Sequence, residues 1–177
     1  MIFHRPRANS LTFPPPLDGI TRVTTMNVLG VLIQNSLSFR DQVDHLVRQS
    51  AQTMYALRIL KHHGLCGPPL WEVAGATLMS RLTYASSAWW GLIDAEGRKR
   101  LNSVVANATK QGYLPPCQPS FDDICMRIDL KFFRSILSNP HHVLHQLLPP
   151  VRQNHHNLRP SAHDRSILRI PSSAKPL

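Results

Sequence analysis

The sequence predicts a mainly α-helical protein with a short N-terminal β segment, a bundle of three to four helices and an extended, basic, proline-rich tail. Between positions 39 and 148, apolar residues recur at three- and four-residue steps, as in amphipathic helices. The stretch 26–33 is rich in residues that favour strands. From Pro149 onward, five prolines and five basic residues accompany a single acid. Such a composition buries too little apolar surface to offset ordering, so a disordered tail is expected.

Length and charge narrow the possible organisation. The 177 residues suffice for one modest core plus a tail. We therefore expect a strand segment at 1–38, a helical bundle at 39–112, additional helices at 113–148 and a tail at 149–177. Lys and Arg number 20 against 10 acids, a net charge of +10. That excess slightly favours a nucleic-acid partner over an unspecialised basic protein.

The N-terminal part predicts extended structure. Met1–Arg5 is consistent with a short strand, and Pro14-Pro15-Pro16 predicts an extended linker because each ring fixes φ. Residues 26–33 suit one buried strand, with Gly30 allowing a close backbone approach. Gln34-Asn35-Ser36 indicates a turn. Ser38 is then the expected N-cap of the following helix.

Two long helices are expected next. The first covers Phe39–His63 and ends at Gly64, with acids early and Lys61 late, as the helix dipole favours. Its predicted inner side consists of Val43, Leu46, Val47, Met54, Leu57 and Leu60. The second starts at Pro68-Pro69 and continues until just before Gly91. Its predicted core residues are Leu70, Val73, Ala74, Leu78 and Leu82, together with the aromatics Trp71, Tyr84, Trp89 and Trp90.

Further helices complete the prediction. A third is expected over Asp94–Gln111, with Leu101, Val104, Val105 and Ala108 on its inner side. A fourth begins at Ser120 and ends at Asn139-Pro140. Its predicted inner residues are Ile124, Ile128, Phe132, Ile136 and Leu137. A short helix over His142–Leu148 follows.

Several patterns that resemble catalytic or metal sites have simpler explanations. Phe121-Asp122-Asp123 suggests polymerase carboxylates, but it follows a capping serine, where acids stabilise exposed amides. His141 and His145 have zinc-ligand spacing without the other ligands that a site needs. The odd, dispersed cysteines Cys66, Cys117 and Cys125 predict reduced thiols. With no signal peptide or membrane span in the sequence, we expect an intracellular protein, cytoplasmic or nuclear, without a cofactor.

Basic side chains remain as the candidate functional residues. Arg48, Arg58 and Lys61 are spaced so that they could share a solvent-facing side of the first long helix. Arg98-Lys99-Arg100 open the third helix. Groups of this kind neutralise phosphates without reading bases. An ordinary solvated surface explains the pattern about equally well.

Four segments, in order, resemble the C-terminal part of reverse transcriptases of LINE-type (non-LTR) retrotransposons. The first runs from Val28 to Ile33 and continues at Leu37-Ser38-Phe39. The second is 51–65, similar to the helix that opens the thumb. The third is 82–90, with Tyr84, Trp89 and Trp90. The fourth, 133–163, resembles the element's tail beyond the thumb.

The resemblance implies a fragment that lacks the family's catalytic residues. The family's catalytic aspartates lie upstream of the position that matches Met1, so none is carried over. Leu29, Gly30 and Val31 correspond to the region near the primer grip, and the helices from Phe39 to about Gln111 to the thumb, which holds the template–primer duplex by its backbone. We expect a catalytically inactive fragment that binds RNA or DNA weakly. The alternatives are an inert remnant of a decayed element and a helical protein-interaction module, with an exposed apolar surface along residues 1–33 as its contact.

Overall fold

The computed structural model describes residues 1–3, 14–15 and 18–150. The chain divides into two compact units, Met1–Leu130 and Lys131–Leu177. The prediction of a mainly helical fold with a short β segment is confirmed. The predicted tail lies, beyond Pro150, outside the described residues. The strands are β1 (Thr25–Val28) and β2 (Val31–Gln34); the helices are α1 (Arg40–His62), α2 (Pro68–Ala74), α3 (Ser80–Thr83), α4 (Ser86–Trp89), α5 (Ala95–Lys110) and α6 (Phe121–Ser138).

Residues 25–34 form an antiparallel hairpin, and the prediction of one buried strand over 26–33 is wrong. Val28 pairs with Val31, which leaves Leu29 and Gly30 as a two-residue turn. Both have positive φ, 49° and 86°, the conformation that such tight hairpins require. The apolar run concealed this turn because Leu seldom adopts positive φ. Met1–Phe3 form no strand, and the rest of the strand predicted over Met1–Arg5 lies outside the described residues.

Helix α1 matches its predicted span almost completely. Its N-cap is Phe39 and not Ser38, whose hydroxyl lies 3.4 Å from the Arg40 amide. The end at Gly64 is confirmed: Gly64 N–H donates to Lys61 C=O, and Leu65 N–H donates to Leu60 C=O. These are the two bonds of a Schellman cap, which needs a residue of positive φ. Leu60 itself is exposed, against prediction.

The second predicted helix is interrupted instead of continuous. A π-helical turn, Gly75–Met79, separates α2 from α3. The chain then breaks at Tyr84-Ala85, where Ala85 is left-handed, before α4 and a 3-10 turn at Trp90–Leu92. Leu70, Ala74, Leu78, Leu82, Trp89 and Trp90 are buried as predicted, Trp71 and Val73 only partly. Tyr84 is 54% exposed, so its assignment to the core is wrong.

Helix α5 confirms its prediction at both ends. The Asp94 carboxylate accepts a hydrogen bond from Gly97 N–H at 2.8 Å, and a second Schellman cap closes the helix at Gly112. That amide bond is the main reason that the pKa of Asp94 is lowered. The four predicted inner residues, Leu101, Val104, Val105 and Ala108, are all buried.

Helix α6 begins and ends as predicted, but its buried side differs. Phe121 and Cys125 are fully buried, whereas Ile124 and Ile128 are half-buried. In the second unit Ile136 is buried, as predicted. Phe132 is exposed, so its assignment to the inner side is wrong. The helix expected over His142–Leu148 reduces to a 3-10 turn at His145–Leu147.

The core of the first unit gathers around α1, α2 and α5. Trp90 packs edge-on against Phe121 with ring centroids 5.1 Å apart, and Trp89 donates its indole N–H to Tyr84 C=O at 3.1 Å. Among the residues that the structure describes, no helix is long and apolar enough to cross a membrane.

Candidate nucleic-acid interface

The six predicted basic residues fall into two groups, and three of them are engaged within the protein. Arg100 forms an ion pair with Asp44 at 2.5 Å, which ties α5 to α1. Lys61 donates to Gln111 C=O at 2.7 Å and lies 5.8 Å from the Tyr113 ring. The Arg98 guanidinium lies 5.1 Å from the Trp90 ring, a cation–π geometry. These three charges have structural roles that reduce their freedom to meet a phosphate.

The other three, Arg48, Arg58 and Lys99, are exposed. Within the described part of the chain, none of their three side chains has a hydrogen bond or an ion pair. Arg48 and Arg58 lie about 80° apart around the axis of α1, whereas Lys61 lies about 140° from Arg48. Arg48 and Arg58 therefore share a side of the helix, as predicted, and Lys61 turns away from it towards Gln111.

The same side of α1 carries three residues that the sequence reasoning missed. Tyr55, Ile59 and His62 all lie within about 40° of one line along the helix, and Arg48 and Arg58 within about 60° of it. All five are exposed, Tyr55 by 64%. We call Arg48, Tyr55, Arg58, Ile59 and His62 the α1 outer face. The seven-residue spacing of Arg48, Tyr55 and His62, away from the apolar positions, is the signal that could have found it.

The charge of this segment has one sign. No Asp or Glu occurs between Asp44 and Glu72, although Arg48, Arg58 and Lys61 fall in that interval. Tyr55, Arg58 and His62 border a shallow depression of about 580 Å³. Positive charge beside an exposed ring suits a polyanion with aromatic groups better than it suits another cation.

Leu29 and Gly30 form the turn of the hairpin, and Val31, the third residue of the predicted primer-grip-like set, is the first residue of β2. Leu29 is 87% exposed, while Val31 is buried in the core. The Tyr84 hydroxyl donates to Leu29 C=O at 3.0 Å, and a Cβ at Gly30 would meet the Tyr84 ring at 3.5 Å. Segments 28–33 and 82–90 therefore contact each other here.

Phe121-Asp122-Asp123 forms the capped start of α6, as predicted. The Ser120 hydroxyl accepts from Asp123 N–H at 3.2 Å and donates to the Asp123 carboxylate at 2.6 Å. The Asp122 carboxylate accepts from the Asn102 side-chain amide at 2.7 Å. Across residues 1–3, 14–15 and 18–150, no three His, Cys, Asp or Glu side chains are placed to hold a metal ion.

The remaining polar candidates are dispersed. His141 precedes the 3-10 turn that contains His145, so the two do not share a helix face; the tail histidines lie outside the described residues. Cys66 and Cys117 are exposed free thiols, and Cys125 is buried. Burial, with the negative charge of Asp129 as a second cause, raises the pKa of Cys125 to about 12. A thiol held protonated in this way is a poor nucleophile.

Comparison with protein families, with curated proteins and with solved structures finds no significant match to this chain.

Proposed function

We propose that this chain is a catalytically inactive, thumb-like module that binds nucleic acid weakly through the phosphate backbone. The observation that carries the proposal is the α1 outer face, where Arg48 and Arg58 are exposed and form no ion pair within the described residues. Lys99 offers a third exposed cation, on α5. The ordered resemblance of four segments to the post-palm region of LINE-type reverse transcriptases supports the same reading.

Binding to the phosphate backbone of a nucleic acid agrees with the basic side chains that this protein exposes. Arg and Lys on a helix surface neutralise phosphates but read no sequence unless they reach base edges. Two or three such contacts give an affinity that falls with salt, with a slope of about −0.9 per phosphate contact on duplex DNA. We therefore expect sequence-independent binding to RNA or DNA that is strong only at low salt.

The test is a titration of labelled duplex with the full chain at about 50 mM and 200 mM salt. The double variant Arg48→Ala/Arg58→Ala should weaken binding and make the salt slope shallower by about 2. The matched control is Arg127→Ala/Arg134→Ala, which removes two exposed arginines from α6 and the same net charge.

The two double variants decide between a local and a general electrostatic effect. A loss of nucleic-acid affinity that is confined to Arg48→Ala/Arg58→Ala supports the proposal. Equal losses in both would mean that net charge alone drives binding, and affinity that does not change with salt would remove the electrostatic account.

A second candidate is a protein-interaction module, and the exposed apolar residues of the N-terminal region favour it. Leu29 is 87% and Ile20 62% exposed, and Phe3, Val23 and Met26 are exposed as well. Exposed apolar residues in such number mark a contact surface or a tendency to self-associate. Sedimentation velocity of the wild type and of Ile20→Gln/Leu29→Gln, which leaves the net charge unchanged, tests this candidate. Association that the variant abolishes, without any change in nucleic-acid affinity, would promote it above the first.

A further inference from the structure

The exposure of Tyr55 on α1 has no explanation in packing. Its neighbours Met54 and Leu57 contribute to the core, Leu57 almost completely buried, while 64% of Tyr55 faces solvent. Neither a hydrogen bond of its hydroxyl nor a ring contact is found among the described residues. A large aromatic side chain in such a position is available to a ligand.

The surroundings of Tyr55 indicate the chemistry of that ligand. Arg48 lies two turns before it and His62 two turns after it, each about 10 Å along the helix axis, and Arg58 follows within one turn. No carboxylate occurs in the sequence from His45 to Trp71. A ring between two arginines, on a segment of the helix that contains no carboxylate, matches a strand whose phosphates meet the arginines while a base stacks on the ring.

We propose that Tyr55 is a stacking platform for an unpaired base, so that the α1 outer face prefers single-stranded nucleic acid to duplex. The bases of a duplex are stacked on each other and offer the ring no free face, whereas every base of a single strand does. This inference rests on the proposed function, because the strand is held by Arg48 and Arg58. It adds a ligand class, unpaired RNA or DNA, and a residue that contacts it.

The experiment compares the full chain with Tyr55→Ala, Tyr55→Phe, Met126→Ala and Arg48→Ala/Arg58→Ala. Binding is measured by fluorescence anisotropy on oligothymidylate and oligouridylate of about 16 nucleotides and on a duplex of the same length. Circular dichroism checks that each variant folds. We expect Tyr55→Ala to weaken binding to both single strands by about tenfold and binding to duplex by less than about twofold.

The controls separate stacking from other roles of the side chain. Tyr55→Phe keeps the ring and should bind like the wild type, because stacking needs no hydroxyl. Met126→Ala removes a comparably exposed side chain from α6, outside the α1 outer face, and should change single-strand affinity by less than about twofold. Whichever of the two single strands binds more tightly identifies the preferred polymer.

The failures of the two proposals can be told apart. The stacking proposal is overturned if Tyr55→Ala weakens binding to single strands and to duplex equally, or if Tyr55→Phe behaves like Tyr55→Ala. Binding to the phosphate backbone would still stand in that case. Unchanged nucleic-acid affinity in Tyr55→Ala, together with reduced self-association, would assign the ring to a protein contact and also overturn the inference. If Arg48→Ala/Arg58→Ala binds every polymer like the wild type, the proposed function fails and the inference fails with it.

Discussion

Tyr84 shows how a single residue joins parts of the chain that are distant in sequence. Its hydroxyl donates to Leu29 C=O in the hairpin turn, and its own carbonyl accepts the Trp89 indole N–H. The ring remains 54% exposed because it serves as a bridge across the surface. Tyr84 was predicted to lie in the core because it is aromatic. A tyrosine also carries a hydroxyl that needs a hydrogen-bond partner, and the position of that partner is visible only in the folded structure.

At the scale of single residues, we predict that the three cysteines differ in reactivity. We expect iodoacetamide to modify Cys66 and Cys117 in the folded protein, and Cys125 at least about 1000-fold more slowly, since its thiol becomes accessible only on unfolding. Mass spectrometry of labelled peptides, with and without denaturant, measures the difference. Labelling of Cys125 at the rate of Cys66 under native conditions would contradict the burial described here.

The Cys125 thiol also affects how the free energy of unfolding responds to alkaline pH. The pKa of Cys125 rises from 9.0 to about 12 on folding. Between these values the unfolded chain releases the proton and the folded chain keeps it, so ionisation favours unfolding. The free energy of unfolding should therefore decline as pH rises above about 9. Urea titrations across this range should show the decline in the wild type and a weaker one in Cys125→Ala.

At the scale of secondary-structure elements, the ends that depend on local chemistry were predictable. Gly64 and Gly112 close their helices because the left-handed conformation of the cap is favourable for glycine. Asp94 and Ser120 likewise cap the helices that follow them. The break at Tyr84-Ala85 was not predictable, because neither residue is a helix breaker and Ala seldom adopts the left-handed conformation that Ala85 has here.

Helix α6 also depends on a cap from a different helix, which no local pattern reveals. The Asn102 side chain in α5 accepts hydrogen bonds from the amides of Phe121 and Asp122 and donates one to the Asp122 carboxylate. Asn102→Ala should lower the free energy of unfolding by about 1–2 kcal/mol, since it leaves the first amides of α6 without their acceptor. Chemical denaturation measures the loss.

Asn107→Ala is the matched control for this substitution. Asn107 lies in the same helix and is exposed, so we expect its removal to change stability by less than about 0.5 kcal/mol. Similar losses in the two variants would indicate a general effect of alanine in α5 and would contradict the capping role.

At the scale of the whole molecule, charge is the dominant property. The chain carries a net charge of +10, and the described residues form two ion pairs, Arg40–Asp94 and Arg100–Asp44. Composition predicted the basic character, and periodicity predicted the core of α1 and α5. Neither could separate the cations engaged within the protein from the exposed ones, because the partners of Lys61 and Arg100 lie 50 and 56 positions away in sequence.

Salt should act in opposite directions on stability and on binding. Screening relieves repulsion among the excess cations, so the Tm should rise between about 20 mM and 200 mM salt. Nucleic-acid affinity should fall over the same range. Differential scanning fluorimetry gives the first response and anisotropy the second. A Tm that falls with salt would mean that attractive pairs, and not repulsion, dominate the surface.

The π-helical turn at Gly75–Met79 affects how this protein tolerates changes in length. Leu70, Ala74, Leu78 and Leu82 recur at strict four-residue intervals, which in a regular α-helix would drift by about 40° per step away from the core. The wider turn absorbs that drift and keeps all four side chains buried. Deleting one of residues 75–77 would place Leu78 three positions after Ala74, and spacings of four, three and four keep all four side chains on one side of a regular α-helix. A chain shortened by one residue in this turn should therefore form a regular α-helix there and keep the orientation of the residues that follow.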